Sequence, residues 1–401
     1  MKDLKHLYYF ENLLGEANND LVRQARKEGR YALGFTCFHM PEVLLNLDKC
    51  FSVRLRAPRT GSMEIATYYM SNATCEYSRA LLERAMEGGY RFLDALAGVD
   101  ACECMNRCME NIELLKTCDT DERFFFCNLD VPFSDDEDCV AHYCEQLNRK
   151  LLVPLREKMN IDVSDASIRR AVEKHNELSR IIREIGDCRR LENPTITGHE
   201  YHILSLVSWC CPQDLIMDKL RETLEELKSR QPDAKKSYRA KVVVVGSEID
   251  DPELISLIEE SGALVVGDRF CYGTVPGRSE ITLDPDQPAF EQVCRQYLKD
   301  SLCPRLNSPH KVEQRYATAE KLCHDYHADG IIYEQMKFCT YWSYERALAS
   351  HVMSLERGIP TLSIDRPYMS RTSAGQLRTR VQAFVESLEI KKIKARKAGA
   401  V

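Results

Sequence analysis

Five cysteine settings in this sequence have the positions expected of ligands to an iron–sulfur cluster or a metal ion. Cys37, Cys271 and Cys339 each follow a strand or strand-like run, Cys75 lies at the start of a predicted helix, and residues 102–108 read CECMNRC. In open α/β sheets, ligands collect beyond the carboxyl ends of the strands. A helix N-terminus also lowers the pKa of a thiol. Because thiolates are natural ligands of iron–sulfur clusters and zinc, these settings predict a cysteine-bound cofactor.

The cysteine content also has simpler explanations. The chain has 18 cysteines in 401 residues, and free cysteine often serves as a small buried apolar residue. Zinc is a second alternative, but the spacings lack the paired knuckles of structural zinc sites. The run Trp209-Cys-Cys-Pro lies in a helical pattern and is interpreted as core. Seven further cysteines are interpreted as packing residues: Cys118, Cys127, Cys139, Cys144, Cys188, Cys294 and Cys323.

Composition and charge restrict the class of protein. Hydrophobic residues make up 44% and charged residues 29% of the chain, as in soluble globular proteins. A net charge of −7 gives no footprint for nucleic acid. No apolar run approaches the roughly 18 residues needed to span a bilayer, and the first residues lack the order of a signal peptide. We therefore expect a cytoplasmic protein without nucleic-acid or membrane partners, whose thiols stay reduced.

The elements that would position the cysteines predict an α/β fold. Apolar runs at 31–37 and 124–131 indicate buried strands among helical patterns. The run 241–246, KVVVVG, has the composition of a strand in a parallel sheet. Further strand patterns alternate with helical ones through the C-terminal third, which favours β-α-β units.

This alternation predicts two doubly wound parallel-sheet domains with a helical connector layer between them. Residues 1–150 would form an N-terminal helix and the first cluster-binding domain. Residues 151–240 would form the helical connector. Residues 241–401 would form the second cluster-binding domain, beginning at the strand that opens with Lys241.

Four motifs, spread over nearly the whole chain, resemble those of one enzyme family. They are residues 36–42 (TCFHMPE), 263–274 (ALVVGDRFCYGT), 334–342 (EQMKFCTYW) and 375–384 (GQLRTRVQAF). Together and in this order they are similar to the 2-hydroxyacyl-CoA dehydratase and benzoyl-CoA reductase family, and to its D-type subunit in particular.

The resemblance implies an oxygen-sensitive enzyme of anaerobic metabolism. Members hold a [4Fe–4S] cluster through three cysteines, which correspond here to Cys75, one of Cys104 and Cys108, and Cys339. Members receive single electrons from a separate activator protein that carries its own [4Fe–4S] cluster and hydrolyses ATP. No Walker A motif is present in this chain, which fits that division of labour.

Two further cysteines depart from the plain dehydratase pattern. Cys37 and Cys271 occupy motif positions where dehydratase subunits commonly lack cysteine. This arrangement is similar to the double-cubane branch of the family, in which two [4Fe–4S] units share a bridging sulfide as an [8Fe–9S] cluster. Six thiolates are then needed. The residues that compete for the remaining places are Cys102, Cys104, Cys108 and Cys303.

Two residues near Cys37 are candidates for proton transfer. Glu42 follows Pro41, and His39 lies two residues after the cysteine. Either could donate or accept a proton beside a bound cluster. Glu42 could equally be an ordinary first-turn carboxylate that the helix dipole stabilises.

Three functions follow from these residues and the resemblance. The first is a reductase that passes low-potential electrons to a small molecule at a double-cubane cluster. The second is a subunit of an (R)-2-hydroxyacyl-CoA dehydratase or benzoyl-CoA-type reductase, with one [4Fe–4S] cluster and a CoA-thioester substrate. The third is a subunit that relays electrons without catalysis. The chain would act as a homodimer or as a heterodimer with a related subunit.

Overall fold

A computed structural model of the chain describes residues 3–57, 60, 62–119, 121–232, 237–368 and 374–398. In this part of the chain, eight strands form two four-stranded sheets. The strands are β1 (Tyr31–Phe35), β2 (Cys50–Arg54), β3 (Ala95–Asp100), β4 (Phe125–Asp130), β5 (Ala240–Gly246), β6 (Ala263–Phe270), β7 (Gly330–Met336) and β8 (Thr361–Arg366).

Helices connect and cover the strands. In the first half they are α1 (Leu7–Leu13), α2 (Asp20–Lys27), α3 (Glu76–Met86), α4 (Glu103–Leu114), α5 (Glu137–Leu147), α6 (Val153–Met159), α7 (Asp165–Asp187) and α8 (Gly198–Cys210). In the second half they are α9 (Gln213–Ser229), α10 (Glu253–Glu260), α11 (Ala289–Lys299), α12 (Pro309–Asp325), α13 (Thr340–His351) and α14 (Ala374–Ala398). Short 3-10 turns lie at Glu42–Leu45 and Ala66–Tyr68, and π-helical turns lie at Asn148–Leu152 and Val352–Glu356.

Both sheets have the same topology, which confirms the predicted α/β class with two doubly wound domains. The strand orders are β2-β1-β3-β4 and β6-β5-β7-β8, and every pair is parallel. Each order reverses beside its first strand, so each sheet has a topological switch point where connections leave in opposite directions. The loops after β1 and β3 flank one switch point, and those after β5 and β7 flank the other.

The strands of the second sheet are buried on both faces. Every residue of β5, β6 and β7 is buried, because helices cover both sides of a doubly wound sheet. This agrees with the run of valines from which β5 was predicted.

Helix α8 joins the two sheets. It contacts β2 of the first sheet and β6 of the second, and nearly all its residues are buried. A capping box starts this helix: the Thr197 side chain accepts from the Glu200 N–H, and the Glu200 carboxylate accepts from the Thr197 N–H. The interpretation of Trp209 and Cys210 as core residues is confirmed, because both are buried.

Local patterns missed two strands and misassigned one helix. Strands β2 and β3 were not predicted, and β2 is short and ends in charged Arg54. The helix whose first turn was expected to hold Glu42 is only a short 3-10 turn, Glu42–Leu45. In the described ranges, no helix combines the length and apolar content that crossing a membrane requires.

The end of β5 has room only for glycine. A Cβ atom at Gly246 would lie 2.5 Å from Oε2 and 2.8 Å from Cβ of Glu334 on β7. We expect Gly246→Ala to lower the free energy of unfolding by about 1–3 kcal/mol, the usual effect of overpacking a core. Gly375→Ala is the matched control, because nothing lies within 4 Å of the added atom. Denaturant titration of both variants is the measurement, and equal midpoints would contradict this account.

Candidate iron–sulfur site

The loops at the carboxyl edges of the two sheets meet. Arg54, at the end of β2, donates from Nη1 to the carbonyl oxygen of Cys271, just after β6, at 2.6 Å. The hydroxyls of Tyr77 on α3 and Tyr272 lie 3.0 Å apart. Ligands of doubly wound sheets bind at this edge, and here the edges of both domains border one region.

Three thiols border a common cavity in this region. Cys37 follows β1, Cys271 follows β6, and Cys303 lies in the loop between α11 and α12; we call them the cavity trio. Burial and, to a smaller extent, the neighbouring Cys303 raise the pKa of the Cys37 thiol to about 12. Burial likewise raises the pKa of Cys271 well above its usual value, with Glu248 and Cys303 adding to the effect. The three thiols are therefore close together and neutral.

Three other thiols lie at helix N-termini. Cys75, Cys102 and Cys339 are the N-cap residues of α3, α4 and α13; we call them the helix-cap trio. The backbone N–H groups of the first helical turns lower the pKa of these thiols and favour the thiolates, but burial outweighs this effect. It raises the pKa of Cys75 to about 12 and those of the other two well above the usual value. The nearby Cys75 raises the pKa of the other two further.

The two trios are neighbours. Cys37, of the cavity trio, is close enough to Cys102, of the helix-cap trio, to raise the pKa of its thiol. Five of the six cysteines are partly exposed, and only Cys75 is buried. The six thiols therefore form two adjacent sets of three.

The other two competitors from the sequence are placed differently. The Cys104 sulfur accepts a hydrogen bond from the backbone N–H of Cys75 at 3.4 Å, so it lies beside the helix-cap trio. Cys108 is fully buried among the apolar residues of α3 and α4. The structure thus brings together Cys37, Cys75, Cys271 and Cys339 as predicted, with Cys104 next to them and Cys108 in the core.

His39 contacts the cavity trio directly. Its Nδ1 is 3.6 Å from the Cys37 sulfur, and its Nε2 is 2.9 Å from Oγ of Ser301. Burial and, to a smaller extent, the cations Arg305 and Lys311 lower its pKa to about 3. The imidazole is therefore neutral and fixed by contacts on both nitrogens.

Glu42 lies in a buried ion pair. Burial raises its pKa, but the Arg278 guanidinium and His175 together outweigh that effect and bring the pKa down to about 2. Nη1 of Arg278 lies 2.5 Å from Glu42 Oε2, and Ser52 Oγ donates to Oε1 at 3.3 Å. Both carboxylate oxygens are thus occupied. The catalytic role predicted for Glu42 stays a prediction, but this geometry favours a structural one.

Two charged residues of the site were not predicted from the sequence. Arg54 ends β2, and Glu248 lies two positions after β5. Burial raises the Glu248 pKa to about 7, against the opposing effects of Arg54 and of a hydrogen bond with Cys271. This carboxyl can therefore hold a proton beside the cavity trio near neutral pH. The sequence could have indicated Glu248 as a site residue, because it follows the valine run of β5 at the carboxyl end of that strand.

In the described part of the chain, no three His, Cys, Asp or Glu side chains are placed to hold a single metal ion. Six cysteines nevertheless surround one region, and thiolates are the usual ligands of iron–sulfur clusters. In such a cluster each thiolate binds a different iron, so its ligands stand apart. The donor set therefore fits a cluster by its chemistry.

Comparison with known proteins agrees with the resemblance of the motifs. Residues 37–388 match the family model of the 2-hydroxyglutaryl-CoA dehydratase D-component. The chain is 22% identical over 381 residues to the (R)-phenyllactyl-CoA dehydratase beta subunit of Clostridium sporogenes, which covers 94% of this chain and 97% of that protein. It is 22% identical over 306 residues to the putative dehydratase subunit YjiM of Escherichia coli (strain K12), with 75% of each chain covered. The chain therefore belongs to the family of the 2-hydroxyglutaryl-CoA dehydratase D-component.

Proposed function

We propose that this protein is a reductase component that binds an [8Fe–9S] double-cubane cluster on six cysteines. The cavity trio would hold one cubane and the helix-cap trio the other. An ATP-hydrolysing activator with its own [4Fe–4S] cluster would supply single electrons of low potential. When bound, the cluster would accept these electrons and offer iron to a small substrate. The observation that carries the proposal is the division of six neighbouring thiols into two sets of three.

Binding of iron would have to overcome the raised pKa values of these thiols. Thiols with strongly raised pKa values are poor thiolates, and ligation requires deprotonation. A cationic iron centre supplies the positive charge that this deprotonation needs. The first-turn N–H groups at Cys75, Cys102 and Cys339 would then donate to sulfur, and such hydrogen bonds tune clusters.

A second function is favoured by the relatives. The family model and the name of the Clostridium sporogenes protein both refer to CoA-thioester dehydratases. A dehydratase subunit with one [4Fe–4S] cluster would need only three ligands. These could be the helix-cap trio itself, or Cys75 and Cys339 with Cys104 in place of Cys102. The cavity trio would then be three partly exposed thiols without a ligand role.

The iron content of the whole chain distinguishes these functions. We expect anaerobically purified protein to contain about eight irons and a similar amount of acid-labile sulfide per chain. Addition of the activator with ATP should produce an EPR signal of a reduced cluster. About four irons, with turnover of a 2-hydroxyacyl-CoA, would favour the dehydratase. Absence of iron after anaerobic reconstitution would overturn both proposals.

A further inference from the structure

Arg54 is a buried cation beside the cavity trio. Arg54 is 1% exposed, and it lines the same cavity as Cys37 and Cys271. Its Nη1 donates to the carbonyl oxygen of Cys271 at 2.6 Å, and its Cζ lies 3.9 Å from the ring centroid of Tyr272. The guanidinium stays protonated under all ordinary conditions. A full positive charge is therefore fixed at this wall of the cavity.

This guanidinium lacks partners on two of its three nitrogens. Among the described residues, Nε and Nη2 of Arg54 have no hydrogen-bond partner, although both are buried. The nearest carboxylate oxygen, Oε2 of Glu248, is 3.8 Å from Nη2, and it too has no hydrogen-bond partner in the described residues. Buried donors without partners are rare, and an absent ion or group is one explanation.

A second buried arginine, Arg278, is fully satisfied by protein groups. Arg278 is 0% exposed and stacks 3.6 Å from the Trp209 ring. Its Nε donates to Ser208 Oγ at 3.1 Å, its Nη2 to the Ser208 carbonyl oxygen at 2.8 Å, and its Nη1 to Glu42. Every nitrogen of Arg278 is thus engaged with protein. Arg54 differs because two of its nitrogens have no partner among the described residues and its side chain lines the cavity.

Arg269 is a second arginine at the cavity, and it has a different setting. Like Arg54, it has no hydrogen-bond partner on Nε and Nη2 among the described residues, but its Nη2 lies 3.5 Å from the buried Glu345 Oε1. Glu345 is also bound by Arg315 at 2.9 Å. Of the two arginines that line this cavity, Arg54 is the one without a carboxylate oxygen within 3.5 Å among the described residues.

We infer that Arg54 is the counter-charge of the cluster, donating from its free Nε–H and Nη2–H to sulfur on the half held by the cavity trio. This inference rests on the proposed function. Charge-assisted hydrogen bonds are short and strong, and net charge and hydrogen bonds to sulfur set the reduction potential of a cluster. Reduction adds negative charge beside a fixed cation. Arg54 therefore stabilises the reduced state and raises the potential.

The midpoint potential of the cluster tests the inference. We expect Arg54→Gln to keep the iron content of the wild type and to lower the midpoint potential in an EPR redox titration. The reduced-to-oxidised ratio at a fixed potential should fall about tenfold, which is 59 mV for one electron. Arg54→Lys, which keeps the charge, should show a smaller shift. Arg189→Gln should show none, because Arg189 is equally buried but pairs with Asp268 at 2.7 Å.

Two outcomes overturn the inference independently of the proposed function. An unchanged potential in an iron-replete Arg54→Gln protein would show that Arg54 does not act on the cluster. If that variant loses its iron, pulsed EPR of the reduced wild type labelled with [15N]arginine decides. Nitrogen hyperfine coupling that disappears in Arg54→Lys supports the inference, and its absence overturns it. A wild type without iron would instead overturn the proposed function, and the inference with it.

Discussion

The Cys303→Ser substitution is expected to lower the iron content of the chain to about half that of the wild type. Cys303 contributes one of the three thiols of the cavity trio, and a cubane with two remaining ligands should be lost under chelation. The Cys102→Ser substitution is expected to lower the iron content by the same amount, through loss of the other cubane. The measurement is anaerobic iron and sulfide analysis, followed by EPR of the cluster that remains.

Cys108→Ser is the matched control for this prediction. The Cys108 thiol is fully buried in the core, so serine there should reduce stability slightly while all the iron is retained. Cys104→Ser tests the remaining competitor, because its sulfur accepts only from the Cys75 N–H among the hydrogen bonds of the described residues. If Cys303→Ser kept its full iron content while Cys104→Ser lost half, the assignment of ligands would have to be revised.

Arg278→Met is expected to lower the free energy of unfolding by about 3–5 kcal/mol. The substitution leaves the Glu42 carboxylate buried without its cation, and this is the usual cost of breaking a buried ion pair on one side. Glu42→Met should cost a similar amount. The double substitution should recover most of the loss, because apolar residues can replace a buried pair. Denaturant titrations followed by circular dichroism provide the double-mutant cycle.

The same ion pair predicts how stability depends on pH. The folded-state pKa of Glu42 is about 2, below the ordinary value of 4.5. Its contribution is therefore fully present above pH 4.5 and is lost as the pH falls towards 2. The difference corresponds to about 3 kcal/mol. The stability advantage of wild type over Glu42→Gln should shrink across this range.

This test also separates a structural role for Glu42 from the catalytic role predicted for it. A Glu42→Gln protein that is as stable as wild type, yet fails to pass electrons to substrate, would favour catalysis. Loss of stability with normal turnover per folded molecule would favour the ion pair.

Local sequence was sufficient to predict much of the architecture. The valine run of β5 indicated a buried parallel strand, because such strands have apolar neighbours on both faces. The alternation of strand and helix patterns predicted two doubly wound domains. Cys37, Cys271 and Cys339 could be assigned to the edge of a sheet, because the carboxyl ends of parallel strands share that edge.

The tertiary structure decided which other residues join them. Cys303 belongs to no strand, and only the packing of the loop after α11 brings it to Cys37. The sequence alone did not distinguish Cys102, Cys104 and Cys108 as possible ligands. The placement of α4 against α3 puts the first at the helix cap and the last in the core.

Glu42 shows why nearness in sequence was a poor guide. It lies five residues after Cys37, yet its partner Arg278 is 236 positions away. Arg54 and Glu248 likewise come from different sheets and meet only where the two domains join. Periodicity and propensity report the neighbours of a residue along one helix or strand. The contacts that set charge, burial and pKa at this site are made between sheets, so they were fixed only when both domains packed together.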